Sequence, residues 1–152
     1  MSAILAMYRG PDWSNMTLQK ALVHVGICLW TLSRHSHAEL CIDGICYSSS
    51  ALDKGVRSKV IDINSGRWDL YPLPGIDKAH ALAWFAQHEG AHYDWPGIVA
   101  WVVPLVRHHN ARWVCFEAVG AMLGLHRPHR LTARRLVSWA KSQTVPIKNP
   151  QT

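Results

Sequence analysis

An α+β fold, with a small antiparallel sheet flanked by helices, is what this sequence predicts, and three observations carry the prediction. Apolar residues first recur at helical spacing, then a run of short strand-like segments is broken by turn residues, and the rest returns to helical texture. Strands and helices do not alternate as βαβ units, which disfavours a doubly wound parallel sheet. The 152 residues, 49% hydrophobic and 17% charged with eight tryptophans, suit one globular domain over 1–152. Residues 142–152 read as a loose C-terminal tail.

The elements follow in order. After the apolar stretch 4–8, Arg9-Gly10-Pro11-Asp12 reads as a turn. Ser14 or Asn15 is placed to cap a helix over 17–32, whose Leu18, Leu22, Val25, Leu29 and Leu32 form a core-facing stripe. His37–Ile42, the turn Asp43-Gly44 and 45–48 read as a β-hairpin. Further strands are predicted at 60–63 and 68–73, where Pro72 and Pro74 end the pattern. From Asp77 the texture is helical up to Gly90. Helices are then predicted over 96–106, from Cys115 to Gly124, and over 131–141 after the Pro128 break. Repeats, linkers and low-complexity tracts are not visible.

The net charge of +6 and pI near 9.4 favour anionic partners such as nucleic acid, acidic cell-wall polymer or anionic lipid headgroups. Arg127, Arg130, Arg134, Arg135 and Lys141 concentrate late, as either a solvated cationic face or an anion-contacting helix. The first residues lack a basic segment followed by a long apolar run, and no later stretch approaches the roughly 18 apolar residues of a membrane span. The expectation is synthesis in the cytoplasm without a signal peptide or transmembrane segment. The four cysteines, Cys28, Cys41, Cys46 and Cys115, form no CxxC pair and no zinc-ligand spacing, so independent reduced thiols are expected. The histidine groupings His35-Ser36-His37, His108-His109 and His126-Arg127-Pro128-His129 lack further ligands, and the last two sit among arginines that repel a cation. No metal and no cofactor are expected.

Cys115 is the most informative thiol. Trp113-Val114-Cys115-Phe116-Glu117-Ala118-Val119 places it where a loop enters an apolar helix, where the helix dipole and free backbone N–H groups stabilise a thiolate or an oxyanion. The plain alternative is a packed core cysteine. His37 opens a strand just before a tight turn and shares a strand face with Glu39, so its imidazole is positioned to exchange a proton with a thiol while a neighbour fixes its tautomer. An ordinary strand-end histidine is the alternative.

Ser36-His37-Ala38-Glu39-Leu40 leading into Ile42-Asp43-Gly44, then Gly90-Ala91-His92-Tyr93-Asp94, then Trp113 to Ala118, resembles the circularly permuted NlpC-type papain-like cysteine hydrolases. That group includes lecithin:retinol acyltransferase-like proteins. The resemblance spans roughly 37–124 and lies in the order and spacing of short motifs, with histidine early and cysteine late. It implies a papain-like fold, Cys115 as nucleophile, His37 as general base and then acid, and the Cys115 backbone N–H as oxyanion donor. Tyr93, Trp113 and Glu117 fall at matching positions expected to meet substrate. The family's third catalytic position, on the strand after the histidine strand, falls near Ser48, a weak orienter. Glu39 competes for that role because a carboxylate better stabilises an imidazolium.

The implied reaction is amide hydrolysis through a thioacyl-enzyme, with peptidoglycan peptides as the substrate class. The closest rival is a lipid or thioester acyl hydrolase or acyltransferase, with an apolar groove near Trp95, Ile98, Trp101 and Val102. A second rival is a non-enzymatic phage or bacterial module that binds anionic polymer through the basic C-terminal helix. A wall hydrolase without a leader requires delivery by a phage particle or a secretion system.

Overall fold

The computed structural model describes residues 3–10, 33–94 and 112–144, together with positions 17, 18, 21, 24, 25 and 28. The elements described in full are β1 (Ala3–Tyr8), β2 (His37–Ile42), β3 (Ile45–Ser50), β4 (Gly55–Lys59), β5 (Trp68–Leu73), α1 (Lys78–His88), α2 (Cys115–Met122) and α3 (Ala133–Thr144), with a 3₁₀ turn at Pro128–Arg130. The strands form one sheet of order β4-β3-β2-β1-β5 in which every neighbouring pair is antiparallel. The α+β expectation with a small antiparallel sheet and flanking helices therefore holds at this level.

Alternation along the strands decides what each face does. Leu5 and Met7 of β1 and Leu40 of β2 point into the main core, where they meet Val119 and Met122 of α2 and Leu136 of α3; all six are essentially inaccessible. Burying a side chain of this size contributes roughly 1.5–3 kcal/mol. Ala6, Cys41 and Cys46 form a smaller cluster covered by Ile4, Ile61, Ile63 and Trp68. Because β1 is enclosed by β2 and β5 and covered on both faces, it reads as a plain apolar run without alternation.

The hairpin over His37–Ile42 and β3 is where the sequence places it, turning at Asp43 and Gly44, both of positive φ. β5 and α1 also match, and the Asp77 side chain caps α1 by accepting from the His80 N–H at 2.9 Å. Within the predicted helix over 17–32, positions 18, 21, 24, 25 and 28 are helical. The helix predicted over 96–106 and the apolar groove at Trp95, Ile98, Trp101 and Val102 lie outside the described residues.

Three expectations are corrected. The strand predicted at 60–63 lies instead at β4, Gly55–Lys59; Val60 is 80% exposed, and Ile61 and Ile63 cover the smaller cluster as loop residues. Cys41 and Cys46 are not independent thiols, because they stand opposite each other on β2 and β3 and are joined by a disulfide. α3 continues to Thr144, so three residues assigned to a loose tail are helical. Among the described residues, no helix is long and apolar enough to cross a membrane.

Candidate active site

β2 carries His37 and Glu39 on one face because alternate residues of a strand point the same way. The His37 Nε2–H donates to Glu39 Oε1 at 2.7 Å. Arg57, from β4, grips the same carboxylate with both terminal nitrogens, Nη1 to Oε2 at 2.8 Å and Nη2 to Oε1 at 2.6 Å. Arg57 Nε in turn donates to Asp53 Oδ2 at 2.8 Å. Glu39 is fully buried, while Arg57 and His37 keep 16% and 22% of their side chains accessible. A buried carboxylate is tolerable here because three charge-assisted bonds saturate it.

Nε2 of His37 is committed to Glu39, and Cys115 is the other side chain close enough to act on the imidazole. Burial alone would lower the His37 pKa, but the negative charge and hydrogen bond of Cys115, followed by those of Glu39, push it up to about 10. Burial would likewise raise Glu39, yet its bonds from Arg57 and His37 hold the carboxyl below its ordinary range. Imidazole, carboxylate and guanidinium thus form a chain in which Glu39 is held between two cationic partners.

Cys115 is the first residue of α2 and is 4% exposed. The strand-like segment before it is fastened on both sides. Trp113 N–H donates to the His92 carbonyl at 3.2 Å, and the Trp113 carbonyl accepts from Ser49 Oγ at 2.6 Å. The 90–94 segment is itself tied to β4, where Val56 N–H donates to the Ala91 carbonyl at 2.9 Å and Gly55 pairs with His92. Gly55 permits that approach: with φ of +154°, a Cβ on it would lie 2.0 Å from the Ala91 oxygen. Backbone contacts thus run from the strand bearing Arg57 to the residue two before the cysteine.

Glu117, at the third position of α2, turns back to accept from the Val114 N–H at 3.3 Å and is fully buried. Burial, with the charge of Asp94 and against the bond from Val114, pushes its pKa up to about 8. At neutral pH Glu117 is therefore mostly uncharged. His129 Nδ1 lies 3.5 Å from Glu117 Oε2, and its ring stacks on Trp113 at 4.9 Å between centroids. Tyr93 is buried beside the segment; burial first, then the charges of Cys115, Glu117 and Asp94, raise its phenol well above the ordinary value, so it stays an O–H donor.

The structure therefore brings together His37, Glu39, Cys115, Tyr93, Trp113 and Glu117. Ser48 is not brought to His37: its hydroxyl donates to the Ala38 carbonyl at 2.6 Å, along the β2–β3 seam. Sequence reasoning missed Arg57, Asp53, Asp94 and His129. With the strand displaced to 60–63, the lateral alignment of Arg57 opposite Ser48 could not be counted; with β4 correctly placed, it follows from the hairpin register. Among the described residues, no three His, Cys, Asp or Glu side chains are grouped so as to hold a metal ion. In comparisons with known proteins, no family model, no curated protein and no solved structure matches this chain.

Proposed function

We propose that this chain is a cysteine-dependent acyl hydrolase of permuted papain-like fold that cleaves an amide bond, with peptidoglycan peptides as its substrate class. The observation that carries the reading is His37 held between Glu39 and Cys115, with Cys115 opening a buried helix. An antiparallel sheet carrying an early histidine, followed by a late cysteine at a helix start, supports the finer fold assignment. Glu39 is the third member of the triad, and Arg57 positions it.

The chemistry follows from the resting charges. The Cys115 sulfur attacks the carbonyl carbon, and the C=O electron pair moves to oxygen, facing the Cys115 N–H at the positive end of α2. As the tetrahedral intermediate collapses, the C–N bond breaks and the imidazolium passes its proton to the leaving nitrogen, so the amine departs neutral. A thioester and a neutral His37 remain. Water then gives a proton to His37 while its oxygen attacks the thioester carbon; the C–S bond breaks, releasing the acid and restoring the thiolate and imidazolium. Glu39 stays ionised throughout and stabilises the imidazolium at both ends of the cycle.

Incubation with purified peptidoglycan peptides and mass spectrometry of the products tests the reading. New amine and carboxyl termini should appear with the wild type, and Cys115→Ala should lower the rate by at least about 10³-fold, the scale on which triad members act. Undiminished turnover by Cys115→Ala would sink the proposal. Turnover of acyl thioesters or lipids with none of wall peptides would transfer the same triad to the lipid-acyl reading.

A further inference from the structure

The charge of this chain is segregated. Residues 118–152 hold six Lys and Arg and no Asp or Glu, whereas 1–117 hold ten of each, so the entire net charge of +6 belongs to the last 35 residues. Upstream, cations meet carboxylates: Arg9 and Arg34 with Asp69, Arg57 with Glu39 and Asp53, Lys59 with Asp53, Lys78 with Asp43. Arg127, Arg130, Arg134 and Arg135 are all exposed, and among the described residues no carboxylate pairs with any of them. Like charges crowded in this way repel one another, a cost that an anionic partner relieves.

The surface adjoins the candidate site. Arg127 and Arg130 flank Pro128 and His129, and His129 stacks on Trp113, two residues before Cys115. Beyond it, Arg134 and Lys141 lie on one line of α3, about 10 Å apart along the axis, with exposed Ser138 between them. The apolar face of α3 is spent on the core through Ala133, Leu136 and Ala140. None of the large exposed hydrophobic side chains falls between 126 and 144. Such a face offers no exposed large apolar side chain to insert into a bilayer. It reads charge alone.

We infer that Arg127, Arg130, Arg134 and Arg135 form a docking surface for a polyol-phosphate polymer of the cell wall, holding the acyl substrate attached to that wall beside Cys115. A base-free phosphodiester chain asks for no more than closely placed cations. The choice of wall polymer rests on the proposed hydrolase function; the existence of the anion surface does not.

The experiment is fluorescence-anisotropy titration of labelled poly(glycerol phosphate) with the full chain carrying Cys115→Ala, at 50 and 200 mM salt. Four phosphate contacts at a slope of about 0.7 each predict that affinity falls roughly 50-fold over that interval. Arg127→Gln/Arg130→Gln/Arg134→Gln/Arg135→Gln should abolish most of the binding and flatten the salt dependence, and the corresponding Arg→Lys tetrad should retain it. The Lys tetrad keeps the surface charge, so loss of binding in both tetrads would overturn the proposal, as would salt-independent binding. Single-stranded DNA or anionic phospholipid vesicles bound more tightly than the polymer would also overturn it, in favour of that partner. Polymer binding with no turnover of wall peptides by the wild type would remove the hydrolase reading and leave the surface standing; turnover without binding would do the reverse.

Discussion

Glu39→Gln is the most informative single change. The carboxylate is fully buried and accepts three bonds, at 2.6, 2.7 and 2.8 Å, from Arg57 and His37. Gln keeps the shape, but its NH₂ group must face donors, and its oxygen cannot satisfy His37 and both Arg57 nitrogens together. Breaking a buried pair by removing one partner costs about 3–5 kcal/mol. Arg57 retains its bond to Asp53 and some exposure, so the low end, about 3 kcal/mol, is expected. For a domain of this size that is a fall in Tm of roughly 6–12 °C. His37 should also titrate well below about 10, since it loses both the bond and the charge of Glu39. Urea denaturation gives the first quantity, and NMR of the imidazole carbons and nitrogens gives the second. A loss under about 1 kcal/mol with an unmoved His37 titration would refute both the buried ion-pair energetics and the orienting role.

Other predictions follow from the same geometry. At pH 6.5 iodoacetamide should alkylate Cys115 much faster than Cys28, whose thiol burial pushes up; His37→Ala should erase the difference, as peptide mapping by mass spectrometry would read. Equal rates in the wild type would end the nucleophile reading. Stability should depend on pH in two descending steps. Glu117, raised from 4.5 to about 8, contributes fully below 4.5 and loses that contribution as pH rises through 8; His37, raised from 6.5 to about 10, contributes fully below 6.5 and loses it as pH rises through 10. Glu117→Gln should remove the first step only, a difference that urea midpoints across pH 4–10 would expose. Reducing Cys41–Cys46, which closes a loop of sequence separation five, should cost about 2 kcal/mol on chain-entropy grounds, and an unchanged urea midpoint would contradict that.

What could be read along the chain was local. Asp43-Gly44 between two β-prone segments predicts the hairpin, Asp77 predicts the start of α1, and the apolar texture after Val114 predicts α2, because turn chemistry, capping and periodicity act within a few residues. The nucleophile candidate at a helix start and the His37–Glu39 alternation were legible for the same reason. The pairing of Cys41 with Cys46 followed from the hairpin register, yet the absence of CxxC spacing pointed away from it. β4 was misplaced because Val60, Ile61 and Ile63 alternate as a strand would, while the true strand, Gly55 to Lys59, is polar on the face that serves Glu39.

The sequence by itself determined the α+β class, the hairpin and the residues able to do thiol chemistry, all of them properties of neighbouring side chains. Only the tertiary structure decided that Arg57 clamps Glu39, that Ser48 turns to the Ala38 carbonyl, and that His37 stands between Glu39 and Cys115. Those outcomes depend on strand register and on how β2, β4 and α2 pack. Contacts across 18 or 78 positions of chain are set by the burial of a whole sheet, which no local pattern encodes.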